Sequence, residues 1–143
     1  DDVTIASFGG VKVATLEEGL KKADILSLSL PLNDETKNFI TLKEMKLMKK
    51  SSIIINAARG GVVNEEDLNN ALVNNIIAFA GIDVFEKEPP ESTNPLITNK
   101  KVVLSPHSAT FTKEGLENMA VETAQNIIDF FENKIENTKI VKL

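Results

Sequence analysis

The side chain best suited to acid–base chemistry in this sequence is His107, which is its only histidine. His107 follows Val102–Leu104, an apolar run that is typical of a buried strand. Between the two lie Ser105 and Pro106, and a proline ends the hydrogen-bond ladder of a strand. An imidazole just past a strand end can exchange a proton with a substrate hydroxyl or carbonyl group near neutral pH. His107 is therefore the first candidate for a catalytic acid or base.

Two other side chains have the chemistry to work with this histidine. Arg59 is the only arginine among the 16 basic residues, and its planar guanidinium can bind a carboxylate through two parallel hydrogen bonds, which lysine cannot do. It lies in residues 57–61, whose small side chains let the backbone approach another group closely. Glu88, just before Pro89 and Pro90, can hold the second ring nitrogen of the histidine. Together these groups suit the interconversion of a hydroxy acid and a keto acid.

Each of these residues also has a purely structural interpretation. A lone histidine after a strand is more often a loop residue than a catalyst, and Arg59 by itself could form a surface ion pair of little energy. Asp83, at the end of another apolar run, could cap the loop that follows it. Glu86 lies close enough to Glu88 to be the partner of the histidine, and only the proline that follows favours Glu88.

Composition places the chain among ordinary globular proteins. Hydrophobic residues make up 42% and charged residues 26%, and 143 residues suffice for one domain with a buried core. The net charge of −5 disfavours nucleic acid and anionic membranes as partners. Without cysteine there is no disulfide or thiolate metal site, and no apolar run reaches the roughly 20 residues of a membrane span. We expect a soluble, cytoplasmic protein without a metal.

The elements that position the candidate residues alternate between strands and helices. Apolar runs predict strands at 25–30, 52–56, 78–84 and 102–104, with a further short candidate at 11–13. Short connections between strands and helices indicate βαβ units, and hence a parallel, doubly wound sheet. Ligands bind such a sheet at the carboxyl ends of its strands. The sequence places Pro31, Arg59, Asp83 and His107 at those ends.

Helix starts are predicted from capping residues. The four candidate N-caps are Thr15, Thr41, Asn64 and Thr112. The first two have a glutamate three residues later, which is the spacing of a capping box. The acidic run Glu65-Glu66-Asp67 suits the positive end of a helix dipole, so we interpret it as helix stabilisation and not as a metal site.

The last predicted helix, residues 113–134, is the longest. Its apolar positions recur at helical spacing, and they are Leu116, Met119, Ala120, Thr123, Ala124, Ile127, Ile128 and Phe131. We expect this stripe to be buried as part of the core. Residues 1–8, by contrast, are expected to form a short, uncapped opening before a turn at Gly9-Gly10.

Four motifs in order resemble the signatures of the NAD-dependent D-isomer-specific 2-hydroxyacid dehydrogenases. They are Leu30-Pro-Leu-Asn-Asp-Glu-Thr36, Asn56-Ala-Ala-Arg-Gly-Gly61, Gly81-Ile-Asp-Val-Phe85 through Glu88-Pro-Pro90, and Ser105-Pro-His-Ser-Ala109. The resemblance covers nearly the whole chain and implies a partial Rossmann-like domain of an oxidoreductase that transfers a hydride between NAD(H) and a D-2-hydroxy acid or 2-keto acid. Within the family, 3-phosphoglycerate is the leading substrate hypothesis, and D-lactate, hydroxyisocaproate, glyoxylate and hydroxypyruvate are alternatives.

The resemblance also implies a role for each strand-end residue. His107 would donate and accept the proton, Glu88 would be its partner, and Arg59 would clamp the substrate carboxylate and carbonyl. Asp83 would lie near the nicotinamide carboxamide. The residues implied in cofactor binding are Leu30, Pro31, Ala57, Ala58, Arg59, Asp83, His107, Ser108 and Ala109.

The sequence departs from the family pattern by lacking the G-x-G-x-x-G turn that binds the pyrophosphate. Gly9-Gly10 is no substitute, because it follows no convincing strand and opens no phosphate-binding helix. We therefore expect residues 1–143 to be part of an NAD-binding domain, with the first βαβ unit and the substrate domain absent and the fragment alone inactive. The residue that selects NAD over NADP lies in the absent part, so the sequence leaves that choice open.

One further expectation follows from the missing central strands. In the strand order of a Rossmann domain, their absence leaves residues 25–30 as an exposed edge, which recruits another chain. If residues 1–143 stand alone, we expect a homodimer or swapped assembly to cover that edge. A second hypothesis is a non-catalytic relative that serves as an oligomerisation or interaction module, or as a corepressor-like protein.

Overall fold

A computed structural model describes residues 2–140, and its centre is a four-stranded sheet. The strands are β1 (Ile25–Leu28), β2 (Ile53–Asn56), β3 (Phe79–Ile82) and β4 (Val102–Leu104). They pair in parallel in the order β1-β2-β3-β4. The four main strand predictions and the parallel α/β fold are thus confirmed. The short strand predicted at 11–13 is wrong: these residues are irregular, and Val11 is exposed without a ladder neighbour in the described chain.

Six α-helices and one 3₁₀ turn accompany the strands within residues 2–140. They are α1 (Asp2–Ser7), α2 (Leu16–Lys22), α3 (Leu42–Met45), α4 (Glu65–Val73), α5 (Pro95–Thr98), α6 (Lys113–Phe131) and the 3₁₀ turn Asn137–Lys139. Within the opening predicted for residues 1–8, residues 2–7 form α1, a helix that the sequence did not predict, and Asp1 lies outside the described residues. The short helix α5 was not predicted, although Asn94 caps it and Pro95 occupies its first position.

The predicted N-caps all begin helices. Thr41 and Glu44 form a complete capping box, in which each side chain binds the other residue's backbone N–H. Asn64 accepts a hydrogen bond from the Asp67 N–H at 2.9 Å. Thr15 accepts from the Glu18 N–H, and Thr112 from the Gly115 N–H. At the start of α2, the Glu18 carboxylate accepts a hydrogen bond from the Ala14 N–H and not from the Thr15 N–H.

One face of the sheet is buried and the other is open. Parallel crossovers are right-handed, so a strand order that advances in one direction puts the connecting helices on the same face. On that face Leu28, Asn56 and Ile82 are register partners and are all buried. On the opposite face Phe79 is 53% exposed and Val103 is 77% exposed. The core therefore lies between the sheet and its connecting helices.

The chain divides into two compact units, one that ends at His107 and one that begins at Ser108. In the second unit, α6 has no buried residue, and its apolar stripe is exposed, with Met119 at 47% and Ile127 at 55%. The expectation that this stripe is core is wrong. Helical periodicity identifies the side chains that share a face, but burial also requires a partner surface for that face.

Across residues 2–140, every helix is too short or too polar to traverse a lipid bilayer.

Candidate active site

The site is organised around the contact between His107 and Glu88. Nδ1 of His107 lies 2.8 Å from Oε2 of Glu88, although 19 residues separate them in sequence. His107 follows β4 and Glu88 lies in the loop after β3, so the adjacent parallel strands bring the two side chains to the same edge of the sheet. The exposed fractions of the side chains are 52% and 39%. A carboxylate on Nδ1 leaves Nε2 of the ring as the nitrogen that can exchange a proton with a ligand.

The second oxygen of Glu88 fixes the carboxylate to its own loop. Oε1 accepts a hydrogen bond from the Phe85 N–H at 3.0 Å. The hydrogen bond with His107, and after it the bond from the Phe85 N–H, lowers the pKa of Glu88 from its usual value. Glu88 is therefore ionised at neutral pH and oriented by two donors. The structure pairs His107 with Glu88 and not with Glu86, the competing carboxylate in the sequence.

The backbone of His107 is held in an unusual conformation. Its φ angle is +52°, in the left-handed region, which non-glycine residues occupy at a cost of about 1–3 kcal/mol. Its N–H donates to the carbonyl oxygen of Asp83 at 2.9 Å, which extends the β3–β4 pairing beyond the end of the strands. This bond and the Glu88 contact together determine the direction of the imidazole.

Asp83 lies at the end of β3 and is 5% exposed. Its Oδ1 accepts a short hydrogen bond from the hydroxyl of Ser105 at the end of β4. The sequence left open whether Asp83 only caps its loop, and the structure joins it across to the neighbouring strand. A buried carboxylate held in this way can accept a hydrogen bond from a ligand amide at the sheet edge.

Arg59 lies in the loop after β2, and a buried asparagine shapes that loop. Asn56 is 2% exposed; its Oδ1 accepts from the Ala58 N–H and its Nδ2 donates to the Arg59 carbonyl oxygen, both at 3.1 Å. The guanidinium of Arg59 is exposed and donates to the Ala58 carbonyl oxygen at 2.7 Å. Its hydrogen bond within the described chain is thus to its own loop, and it makes no direct bond with Glu88 or His107 there.

Gly60 explains why this loop contains small residues. A side chain at Gly60 would collide with the carbonyl group of Phe85 and with the Glu86 N–H. The close approach that the sequence predicted is therefore made, at this position, to the backbone of the loop that carries Glu88. Gly60 packs the Arg59 loop against the Glu88 loop.

Four of the other predicted cofactor residues lie at or near the same strand ends. Leu30 is half-buried and Pro31 exposed after β1; Ala57 is exposed and Ala58 buried after β2. Ser108 and Ala109 begin the second unit. Beside the histidine is a cavity of about 460 Å³, whose lining includes Asp83, Glu88, Pro106 and His107 together with the apolar side chains of Phe85, Ile97 and Leu104. No cluster of three or more metal-ligating side chains occurs within residues 2–140.

Sequence reasoning missed three residues that shape this site. The sequence motif that contains Asn56 gives it no role, although an asparagine that ends a run of isoleucines is a signal that it has a specific partner. From the sequence, Ser105 is expected only to end a strand. Glu65 was assigned to the helix dipole, and its contacts with the loop of Glu88 could not be predicted from spacing.

Comparison with known proteins identifies relatives of this arrangement. Residues 2–109 match the family described as "D-isomer specific 2-hydroxyacid dehydrogenase, NAD binding domain". The chain is 42% identical over 138 residues to glyoxylate reductase from Aeropyrum pernix, covering 94% of this chain and 41% of the relative. It is 36% identical over 131 residues to D-3-phosphoglycerate dehydrogenase 3, chloroplastic, from Arabidopsis thaliana, covering 92% and 22%.

A solved structure matches the fold as well. The NAD-complexed form of D-isomer specific 2-hydroxyacid dehydrogenase from Lactobacillus delbrueckii ssp. bulgaricus has a TM-score of 0.80 and 31% sequence identity to this chain. The match covers 93% of this chain and 44% of that one. The chain thus spans less than half the length of these relatives.

Proposed function

We propose that this chain, which belongs to the D-isomer specific 2-hydroxyacid dehydrogenase family with its NAD-binding domain, is part of an oxidoreductase that interconverts a small 2-keto acid and a D-2-hydroxy acid. The observation that carries the proposal is the 2.8 Å contact of His107 with Glu88 at the carboxyl edge of the sheet. The activity would belong to the complete protein.

His107 would move the proton of the reaction. In the reductive direction, Nε2–H of the imidazolium donates to the carbonyl oxygen of the keto acid as it becomes a hydroxyl group; in the oxidative direction, Nε2 takes that proton back. Glu88 holds Nδ1–H and stabilises the charged ring. The backbone around Asp83 is buried and hydrogen-bonded. The bond from the His107 N–H to the Asp83 carbonyl oxygen therefore keeps the imidazole ring at the sheet edge.

Arg59 would bind the substrate. Its guanidinium is exposed in a loop fixed by Asn56, and a carboxylate or keto oxygen can replace its present bond to the Ala58 carbonyl oxygen with a charge-assisted, bidentate pair. The short segment between Asn56 and Gly60 limits where the guanidinium can reach. Every 2-keto acid carries the carboxylate that this group recognises.

The strand-end residues fit the nicotinamide end of NAD. Asp83 offers a buried carboxylate acceptor for a carboxamide, and Ala57, exposed and small, leaves room for a flat ring beside the sheet edge. When bound, the cofactor supplies or accepts the hydride at the substrate carbon. Leu30, Pro31, Ser108 and Ala109 are proposed to line the dinucleotide. The chain carries no glycine-rich turn of the G-x-G-x-x-G type for the pyrophosphate.

For the substrate itself we propose glyoxylate or hydroxypyruvate ahead of the phosphorylated acid expected from the sequence. The glyoxylate reductase of Aeropyrum pernix is more similar to this chain than the Arabidopsis 3-phosphoglycerate dehydrogenase, at 42% against 36% identity. The residues assigned here recognise only the keto-acid group that these substrates share. Discrimination among them therefore requires an assay of the complete protein.

The test is oxidation of NADH, followed by its absorbance, by the complete protein with glyoxylate, hydroxypyruvate, phosphohydroxypyruvate and pyruvate. We expect turnover with at least one of them and the highest kcat/KM for glyoxylate or hydroxypyruvate. The highest kcat/KM for phosphohydroxypyruvate would restore the sequence-based choice of 3-phosphoglycerate. No turnover with NADH or NADPH for any of the acids would overturn the proposal and favour a non-catalytic relative.

We propose in addition that the protein is cytoplasmic and that residues 1–143 by themselves form a homodimer in which a partner covers the β1 edge. Ile25, on that edge, is 62% exposed, and in the described chain β1 pairs with β2 alone. An exposed apolar edge strand favours pairing with another chain. Native mass spectrometry of residues 1–143, as the wild type and as Ile25→Lys, checks this: we expect a dimer that the substitution weakens, and a wild-type monomer would contradict it. Cell fractionation tests the location.

We also propose that residues 1–143 form the C-terminal part of the NAD-binding domain. Two observations support this: residues 2–109 match the NAD-binding domain of the family, and this chain covers only 41% of the length of the Aeropyrum pernix glyoxylate reductase. The intact mass of the natural protein tests this directly. A mass equal to the 15.6 kDa of this chain would contradict it.

A further inference from the structure

The loop that carries Glu88 is held at two points by one side chain outside it, Glu65 in the first turn of α4. Oε1 of Glu65 accepts a hydrogen bond from the Glu86 N–H at 2.6 Å. Oε2 accepts from Nδ2 of Asn94, also at 2.6 Å. One carboxylate therefore joins α4 to residues on both sides of Glu88.

Both anchor points connect to parts of the fold that are themselves fixed. Asn94 caps α5 by accepting from the Leu96 N–H at 3.0 Å, and Leu96 is completely buried. On the other side of the loop, Glu86 follows Phe85, which is 8% exposed and whose N–H binds the Glu88 carboxylate at 3.0 Å. Movement of either anchor would thus be transmitted to Glu88.

The pairing of Glu88 with His107 is too exposed to hold this loop by itself. With side chains 52% and 39% exposed, the ion pair is screened by solvent and contributes little. The loop also has an exposed Lys87–Glu91 pair, which contributes little for the same reason. The Glu65 carboxylate is half-buried and accepts two hydrogen bonds, so it is the stronger restraint.

We infer that Glu65 is a positioning residue for the reaction: by anchoring residues 86 and 94 it keeps the Glu88 carboxylate within hydrogen-bond distance of His107. This inference rests on the proposed function. A role confined to the helix dipole would require only a negative charge in the first turn, which Glu66 also supplies, and would leave the two bonds to the loop without effect.

The chemistry of the carboxylate gives a graded set of variants. Glu65→Gln keeps one acceptor oxygen for the Glu86 N–H, but its amide nitrogen cannot accept from Asn94. Glu65→Ala removes both bonds. Glu66→Ala is the matched control, because Glu66 lies in the same turn, carries the same charge, is exposed, and makes no hydrogen bond to the loop among residues 2–140.

Kinetics of keto-acid reduction by the complete protein test the inference, with each variant made alone and in a Glu88→Gln background. We expect kcat to fall about tenfold for Glu65→Ala and less for Glu65→Gln, with KM for NADH unchanged and Glu66→Ala within about twofold of wild type. Because Glu65 acts through Glu88, Glu65→Ala should add less than about twofold in the Glu88→Gln background. A full tenfold loss in that background, or equal effects of Glu65→Ala and Glu66→Ala, would overturn the inference.

A second measurement separates this inference from the proposed function. The ¹⁵N signals of the His107 ring, assigned with His107→Gln, report whether Nδ1 donates to a carboxylate. If Glu65 positions Glu88, Glu65→Ala shifts the Nδ1 signal in the direction that Glu88→Gln does, and Glu66→Ala does not. This holds even if the wild type turns over no keto acid, in which case the proposed function alone fails. An unchanged Nδ1 signal in Glu65→Ala would refute the positioning role.

Discussion

Replacing Glu88 with glutamine removes one charge and keeps the size of the side chain, so it isolates what the carboxylate does for His107. In the wild type, the Phe85 N–H donates to Oε1 of Glu88 at 3.0 Å. The amide oxygen of the glutamine can still accept this hydrogen bond. The amide nitrogen then faces Nδ1 of the ring. Because an amide NH₂ group only donates, the neutral ring must accept at Nδ1 and carry its proton on Nε2. The substitution therefore changes both the charge and the tautomer.

The size of the charge effect follows from the geometry of the pair. Two unit charges separated by the 2.8 Å of this contact attract by about 1.5 kcal/mol in water. The side chains are 52% and 39% exposed, and ions and side-chain entropy reduce the net value to about 1 kcal/mol. Since about 1.4 kcal/mol corresponds to a factor of ten, losing this attraction should lower kcat/KM roughly fivefold.

The assay is the pH dependence of kcat/KM for keto-acid reduction by the complete protein, from about pH 5 to pH 10. For Glu88→Gln we expect kcat/KM at neutral pH to fall roughly fivefold to tenfold. Glu86→Gln is the control: it removes the same charge two residues away, from a side chain that does not contact the ring. Identical profiles for Glu88→Gln and the wild type would refute the proton role of the pair.

The same pair makes a small, pH-dependent contribution to stability. Hydrogen bonding with His107 lowers the pKa of Glu88 in the folded state below its usual 4.5, so the stabilisation is complete above the unfolded value and is lost as pH falls through the folded value. The wild type should therefore melt about 1–2 °C above Glu88→Gln at neutral pH. That difference should vanish as the pH falls well below about 4. Thermal denaturation across this range checks the sign, and a difference that grew on acidification would contradict it.

Three further substitutions test other parts of the site. His107→Ala should lower turnover roughly 10²–10⁴-fold with the affinity for NADH little changed; unaltered turnover would remove His107 from the reaction. Arg59→Lys should mainly raise KM for the keto acid, because the planar fork is lost, and an unchanged KM would count against the clamp. Gly60→Ala should destabilise the fold by about 1–3 kcal/mol, because the added Cβ meets the Phe85 carbonyl group. Gly19→Ala, inside α2, places its Cβ 3.3 Å from the exposed side chain of Val13, which has room to shift, so it should be neutral or stabilising in the same denaturation experiment.

The sheet could be predicted from sequence because its signals are local. An apolar run followed by a residue that ends it, as at Asn56 and Pro106, gives a strand and its carboxyl end at once. The N-caps at Thr41 and Asn64 are equally local, since the groups they bind are two or three residues away. Parallel pairing then brought the distant side chains of Glu88 and His107 to one edge.

The wrong predictions are those that depend on which distant part of the chain packs against or bonds to a segment. The apolar stripe of α6 has the right period, yet Ile127 is 55% exposed, because periodicity carries no information about a covering surface. The run at 11–13 has strand-forming residues, but a strand exists only when a neighbour completes its hydrogen bonds. Glu65 was assigned a role from its position in a helix, while its partners Glu86 and Asn94 lie 21 and 29 residues away.

The carboxylates of this acidic chain illustrate why such contacts escape sequence reasoning. Glu65 and Glu88 each use both oxygens to join two separate groups, and Asp67, besides lying in the first turn of α4, accepts the Leu42 N–H at 2.9 Å. A carboxylate with two donors at fixed positions connects two other groups at once, which a carboxylate with a single hydrogen bond cannot do. Substituting the amide, as at Glu65 and Glu88, removes one connection while keeping the other. If these residues contribute by connecting groups and not by their net charge, the activity of the Glu→Gln variant should lie between that of the wild type and that of the Glu→Ala variant at both positions. A pure charge effect would instead give the Gln and Ala variants equal activity.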